Sequence, residues 1–250
     1  MKMCRLAPLG MLLLVAALFL APAADARNIK VGILDSYSGP PAVFGNDALN
    51  GFKLALEEIN KQGVLGGKIE FVTRDDKFKV DIGLNMAKEL VLKENVDVIV
   101  GVVNSGVALA VSDAVAKKEK VPFFTWMGKS ENITGKAGHR YMFSTTENTA
   151  MSGKAAANVI SKKGYKRIWV AGDDYDYGHA LDASFTRYLK ALKPDVEFIG
   201  RTWWKLGEPD LVPYFTSIQA ANPDMIHFCT GGASMANVLK TIKATGINQK

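Results

Sequence analysis

The sequence predicts an α/β fold built on parallel sheets, and three observations carry that expectation. From Ile29 onward, apolar runs of strand length alternate with segments whose apolar residues recur at helical spacing. The runs are mostly continuous rather than alternating in polarity, as expected of strands covered on both faces. Composition is that of an ordinary globular chain: 48% of 250 residues are hydrophobic and 22% charged, which excludes wholesale disorder, collagen and low-complexity arrays. A chain of this length makes one large domain or two of ordinary size. Strand–helix alternation then implies parallel strands joined by right-handed crossovers.

The chain begins with a targeting pattern. Lys2 and Arg5 precede an almost wholly apolar stretch at 6–20, and Ala24-Asp25-Ala26 supplies small residues at a cleavage position. The stretch is shorter than the roughly 20 apolar residues that a spanning helix needs. Residues 1–26 are therefore expected to be a signal peptide cleaved after Ala26, and the mature protein to be exported. Cys4 leaves with that segment, so Cys229 stands alone and no internal disulfide is expected.

The elements follow in order. Strands are predicted at 29–34, 68–73, 96–100, 122–126, 167–171, 196–202 and 224–229. Leu49, Phe52, Leu56 and Ile59 form a helical stripe after the first strand, with Asn46 or Asp47 able to cap it. Ala87, Leu90 and Val91 form a second stripe after Asp81. Met151, Ala155, Val159 and Ile160 form a third, closed by Gly164.

An internal echo runs through this order. The first strand enters Asp35-Ser36-Tyr37 before Phe44-Gly45 opens a helix; a later strand enters Asp173-Asp174-Tyr175 before Tyr177-Gly178 opens another. Asn95-Val96-Asp97 begins a strand ending at Asn104-Ser105-Gly106, and Asn222-Pro223-Asp224 begins one ending at Thr230-Gly231-Gly232. The repetition fits either the general likeness of α/β loops or two similar lobes joined near 143–147. In the second case the ligand-binding carboxyl ends of the strands would face each other across a cleft.

Composition and motifs exclude several functions. The formal charge is +6, but 31 cations are interleaved with 25 anions in no block of five like charges, so a nucleic-acid partner is not expected. His139, His179 and His227 have no local partner in sequence, and no Cys/His group has zinc spacing, so neither metal nor cofactor is expected. Gly63 to Lys68 lacks Walker spacing, and G-x-S-x-G, H-E-x-x-H and G-x-G-x-x-G are missing. Asp75-Asp76 and Asp173-Asp174 are paired carboxylates suited to acid–base work, or to ordering loops at strand ends. The enzymatic rival is an exported hydrolase using Asp173 or Asp174; the expectation is that the protein is not an enzyme.

Residues in a specific order carry a family resemblance. The run Ile29-Lys30-Val31-Gly32-Ile33-Leu34 leads into Ser38-Gly39-Pro40, Phe44-Gly45 and Asn50-Gly51. Ile59-Asn60, Gly66-Gly67-Lys68, Asp75-Asp76, 98–101 leading to Ser105, and Tyr177-Gly178 follow. From about Ile29 to Gly246 this resembles the periplasmic branched-chain amino acid (Leu/Ile/Val) binding proteins of ABC transporters. The resemblance implies two doubly wound lobes with parallel sheets around a hinged cleft, the type I periplasmic-binding fold. It divides the mature chain into lobes at 27–145 and 146–250. Members of the family usually run on for a hundred or more residues, so the second lobe is expected to be incomplete within this chain, and the family's acidic partner for a ligand ammonium to fall past Lys250.

The resemblance also implies site residues and partners. Asn104, Ser105 and Gly106 match the loop that gives a Ser hydroxyl and backbone N–H groups to a ligand carboxylate, at a helix start that itself favours anions. Trp126, Met127, Gly128 and Lys129 match the next ligand loop, which commonly reads Ser-Pro-Ala-Ala-Thr; Lys129 takes the place of the ligand-binding Thr and Trp126 that of Pro. Phe44 matches an aromatic that covers the ligand, Tyr175 and Tyr177 flank the cleft, and Gly232 and Ala233 belong to a further contact loop. The implied function is capture of an amino acid-like or carboxylate ligand by a monomer that delivers it to an inner-membrane ABC permease. The alternatives are a sensory module of the same fold, and a binder of aromatic or dicarboxylic acids, for which a flat ring and a cation at Trp126 and Lys129 are suited.

Overall fold

The computed structural model describes residues 27–39 and 41–248. The expected signal peptide, residues 1–26, lies outside the described residues. Among the described residues no helix is long and apolar enough to cross a membrane.

Five strands form the first sheet: β1 (Ile29–Asp35), β2 (Ile69–Asp75), β3 (Val98–Gly101), β4 (Phe123–Thr125) and β5 (Met142–Ser144). All are parallel, in the order β2-β1-β3-β4-β5. Between them run α1 (Ala42–Gln62), α2 (Val80–Leu92) and α3 (Ser105–Val111), which continues through a π-helical turn at Ser112–Ala116. After β5, α4 (Thr149–Ile160) leads to a second parallel sheet of β6 (Arg167–Asp173), β7 (Glu197–Trp204) and β8 (Met225–Cys229), ordered β7-β6-β8. Its helices are α5 (Asp176–Leu192), α6 (Val212–Ala220) and α7 (Gly232–Thr245). The first three strands of each sheet thus share one order, 2-1-3, which makes the chain two similar α/β lobes. The internal echo marks equivalent places in them.

Burial explains why the strands read as unbroken apolar runs. Leu34, Leu90, Ile99, Val107, Val111 and Phe123 belong to one buried cluster under the first sheet. The second lobe divides its core into three smaller clusters, around Trp204 and Phe215, around Phe185 and Leu189, and around Val170 and Cys229.

Four local expectations are corrected. β5 occupies residues expected to be part of the interlobe connection; three residues with Phe143 exposed carry no readable period, and the strand is recognised by pairing with β4 and by stacking of Phe143 on Phe124 at 4.7 Å. Helix α1 begins at Ala42, so Asn46 lies inside it and donates to the Ala42 carbonyl instead of capping. Helix α4 stops at Ile160, and Gly164 lies beyond its end. One histidine does have a local partner: His179 contacts Asp174, five residues before it, at 2.7 Å and packs on Trp203, whereas His139 contacts the distant Ser112. His227 is stacked on Phe185, and burial pushes its pKa down to about 4.

Candidate functional site

The carboxyl ends of both sheets meet at a cavity of about 450 Å³, within the range of small-molecule sites. The first lobe contributes Ser38, Gly39, Pro41, Phe44, Lys77, Phe78, Lys79, Val103, Met127 and Lys129, all following strand ends. The second contributes Asp173, Tyr175, Tyr177, Leu206, Gly207, Gly231, Gly232, Ala233 and Ser234. Ligands of open α/β sheets bind at such edges.

Strand-end carboxylates hold the loops in place. Buried Asp35, the last residue of β1, accepts from Ser36 N, Val103 N and, at 2.5 Å, Trp126 Nε1, and so ties three strand ends together. Burial raises its pKa to about 6 against those donors, with Asp76 adding a smaller push. Asp75 Oδ1 accepts from Tyr37 N and Lys77 N, and Asp76 Oδ1 from Ser36 Oγ and Phe78 N. In the second lobe Asp173 Oδ1 accepts from Trp204 Nε1 at 3.0 Å and Ser234 Oγ at 2.8 Å, while Thr230 Oγ1 donates to Oδ2. The paired carboxylates order loops.

Aromatic faces and ammonium groups form the walls. Phe78 lies 6.0 Å from Tyr175, which lies 5.9 Å from Tyr177, in a row that crosses from one lobe to the other. Burial is the main cause that raises both tyrosine pKa values, so the phenols stay neutral donors. Lys129 Nζ binds Glu147 at 2.5 Å, and that bond above all holds the Glu147 carboxyl down at about 2. An ammonium has three N–H groups, so two remain for a ligand. Phe44 reaches across to Gly232, where a Cβ would strike its ring.

Of the twelve residues expected at the site, Phe44, Met127, Lys129, Tyr175, Tyr177, Gly232 and Ala233 line the cavity, and Asn104, Ser105, Gly106, Trp126 and Gly128 do not. Asn104 is the N-cap of α3: its Oδ1 accepts from Gly106 N and Val107 N, so that helix start is already occupied. Ser105 is buried, and its Oγ accepts from Lys129 N and Ser130 N at 3.2 Å each, holding the Lys129 loop against α3. Gly128 is packed against Thr125, and Trp126 turns its indole to Asp35 instead of into the cavity. The aromatic surface comes from Phe78 and the tyrosines in its place. No side chain caps α7, whose first residues Gly232 and Ala233 line the cavity, so its N–H groups offer what those of α3 do not. Sequence reasoning missed Lys77, Phe78 and Lys79. The Asp75-Asp76 pair before them signalled a turn, but not where its side chains point.

Residues 28–250 match the family model described as "Periplasmic binding protein". The chain belongs to that family. The Leu/Ile/Val-binding protein BraC3 of Rhizobium johnstonii is 29% identical over 216 residues, covering 86% of this chain and 58% of that relative. Among solved structures, a solute-binding protein of an ABC transporter from Rhodopseudomonas palustris in complex with 4-hydroxybenzoate is 27% identical with a TM-score of 0.79, over 89% of this chain and 59% of that one. The branched-chain amino acid transporter substrate binding protein LivJ from Streptococcus pneumoniae, in complex with isoleucine, is 27% identical with a TM-score of 0.75, over 88% and 62%. This family member therefore spans about 60% of the length of the proteins it matches.

Proposed function

We propose that this chain is the solute-capturing component of an ABC importer, exported through a cleaved signal peptide at 1–26 and acting in the periplasm as a monomer. It binds a small carboxylate with a flat apolar body between two lobes, at 27–145 and 146–250, and presents it to an inner-membrane permease without chemical change. One observation carries this reading: the interlobe cavity sets the Lys129 ammonium and the open start of α7 among the rings of Phe44, Phe78, Tyr175 and Tyr177. Lys129 comes from one lobe and α7 from the other, so a carboxylate held by both would stabilise closure of the lobes on it. The hydrolase alternative has less support, because Asp173 is surrounded by three donors of its own lobe and Asp174 is held by His179.

A second reading, capture of a branched-chain amino acid, is favoured by the Leu/Ile/Val-binding relatives and by the isoleucine complex. The 4-hydroxybenzoate complex, at the same identity and a slightly higher TM-score, favours the aromatic one. The aromatic lining agrees with the latter. Calorimetric titration of the purified protein with 4-hydroxybenzoate, benzoate, phenylacetate, leucine, isoleucine and valine separates them. An aromatic acid is expected to bind most tightly, and Lys129→Thr to weaken it about tenfold, the loss of one charge-assisted hydrogen bond. Tighter binding of leucine, unchanged in Lys129→Thr, would establish the amino acid reading.

A further inference from the structure

We infer that the turn after β2 forms a second anion-holding end of the cleft, so that the ligand is an aromatic dianion with a negative group at each end. The inference rests on the carboxylate-capture reading above and deepens it. Its starting point is backbone geometry. Lys77 (φ 52°) and Phe78 (φ 61°) are consecutive non-glycine residues in the left-handed region. Gly or Asn adopts that conformation at little cost, whereas Lys and Phe do not. A turn that only reversed the chain would not need either side chain.

The strained conformation is held from several directions. Lys77 N donates to Asp75 Oδ1 at 2.8 Å, Phe78 N to Asp76 Oδ1 at 2.7 Å, and Asn104 Nδ2 to the Phe78 carbonyl at 3.1 Å. Strain that persists because its surroundings over-determine it is a mark of ligand clamps. Here it turns Lys77, Phe78 and Lys79 onto the cavity wall, with Phe78 at the first-lobe end of the aromatic row.

Charge at the cavity is unbalanced in the same direction. Lys77, Lys79 and Lys129 line it, against the single carboxylate of Asp173, whose oxygens accept three hydrogen bonds within its own lobe. Lys129 is neutralised in part by Glu147, and the Asp75 carboxylate interacts with the Lys77 charge; among the described residues no ion pair is formed by Lys79. A monocarboxylate needs one of these two cationic ends. A ring bearing two carboxylates uses both, with its faces against Phe78 and the tyrosines.

The probes are benzoate and terephthalate, titrated calorimetrically into wild type and into the double variant Lys77→Gln/Lys79→Gln. Wild type is expected to prefer terephthalate by about tenfold, the gain of one further charge-assisted contact. The preference should shrink as salt rises from about 0.01 M to about 1 M, and the ratio should fall to near one in the double variant. Equal affinities in wild type, or a preference that survives both lysine changes, would overturn the second anion site and leave carboxylate capture standing. If folded wild type binds neither acid nor any other carboxylate tested, the reading beneath it falls too.

Discussion

The two lobes end their first strands with the same device and use it differently. β1 closes on Asp35, which accepts from the indole of Trp126; β6 closes on Asp173, which accepts from the indole of Trp204. Asp35 takes its other donors from the backbone and is sealed behind the site, fixing where the next loops emerge. Asp173 takes hydroxyl donors from Thr230 and Ser234 and lies on the cavity wall. The helices after the third strands differ in the same sense. Asn104 caps α3, whereas α7 begins with Gly231 and Gly232 and no side-chain cap. One lobe closes the N–H groups of that helix start on its own side chain, and the other leaves them toward the cleft. A repeated fold supplies equivalent positions, and the residues there decide which of them meets a ligand.

The equivalence can be broken most sharply at Gly45 and Gly178. Each lies in the helix that follows the first strand of its lobe, and a Cβ would collide with a backbone carbonyl oxygen, of Ser36 in one case and Asp173 in the other. Backbone cannot yield as a side chain can, so Gly45→Ala and Gly178→Ala should each cost about 2–4 kcal/mol of stability. Urea denaturation of both variants measures this; a large loss at one and none at the other would mean that the two helix starts are not mechanically equivalent.

Ser105→Ala tests the closed lobe alone. It leaves the buried N–H of Ser130 and the half-buried N–H of Lys129 without their acceptor, and should cost about 1–2 kcal/mol. Because that hydroxyl positions the Lys129 loop, ligand affinity should fall with it. Reduced affinity at unchanged melting temperature would instead place Ser105 at the ligand.

The smallest effect is a pH dependence. Asp35 titrates at about 6 against 3.8 for an ordinary Asp, so the folded state holds the proton more tightly than the unfolded one. Stability from this group is therefore fully present below about 3.8 and lost as pH rises through about 6. His227, pushed down to about 4, acts in the opposite direction between 6.5 and 4, so the informative quantity is the difference between wild type and Asp35→Asn. From about pH 7 to about pH 5 wild type should gain roughly 1–1.5 kcal/mol over the variant. A difference that stays flat would show that the donors around Asp35 outweigh its burial.

The sequence by itself determined the α/β class, seven of the eight strands among the described residues approximately, and the pairing of Asp35-Ser36-Tyr37 with Asp173-Asp174-Tyr175. Those features are local. Buried parallel strands must be continuous apolar runs, and glycines at helix starts answer a steric demand that is the same in both lobes. The resemblance located the loops of the cleft for the same reason, since strand ends are legible. What only the tertiary structure decided is which side chains turn inward. Trp126 looked like a ligand face until Asp35, 91 residues away, claimed its N–H, and Ser105 looked like a carboxylate contact until the Lys129 loop took its oxygen. Lys77 and Phe78 reach the cavity through a left-handed turn that neither residue favours. It is stabilised by Asn104 from beyond the next helix. A hydrogen bond between distant segments forms only when the chain is folded, and no spacing within one segment records it.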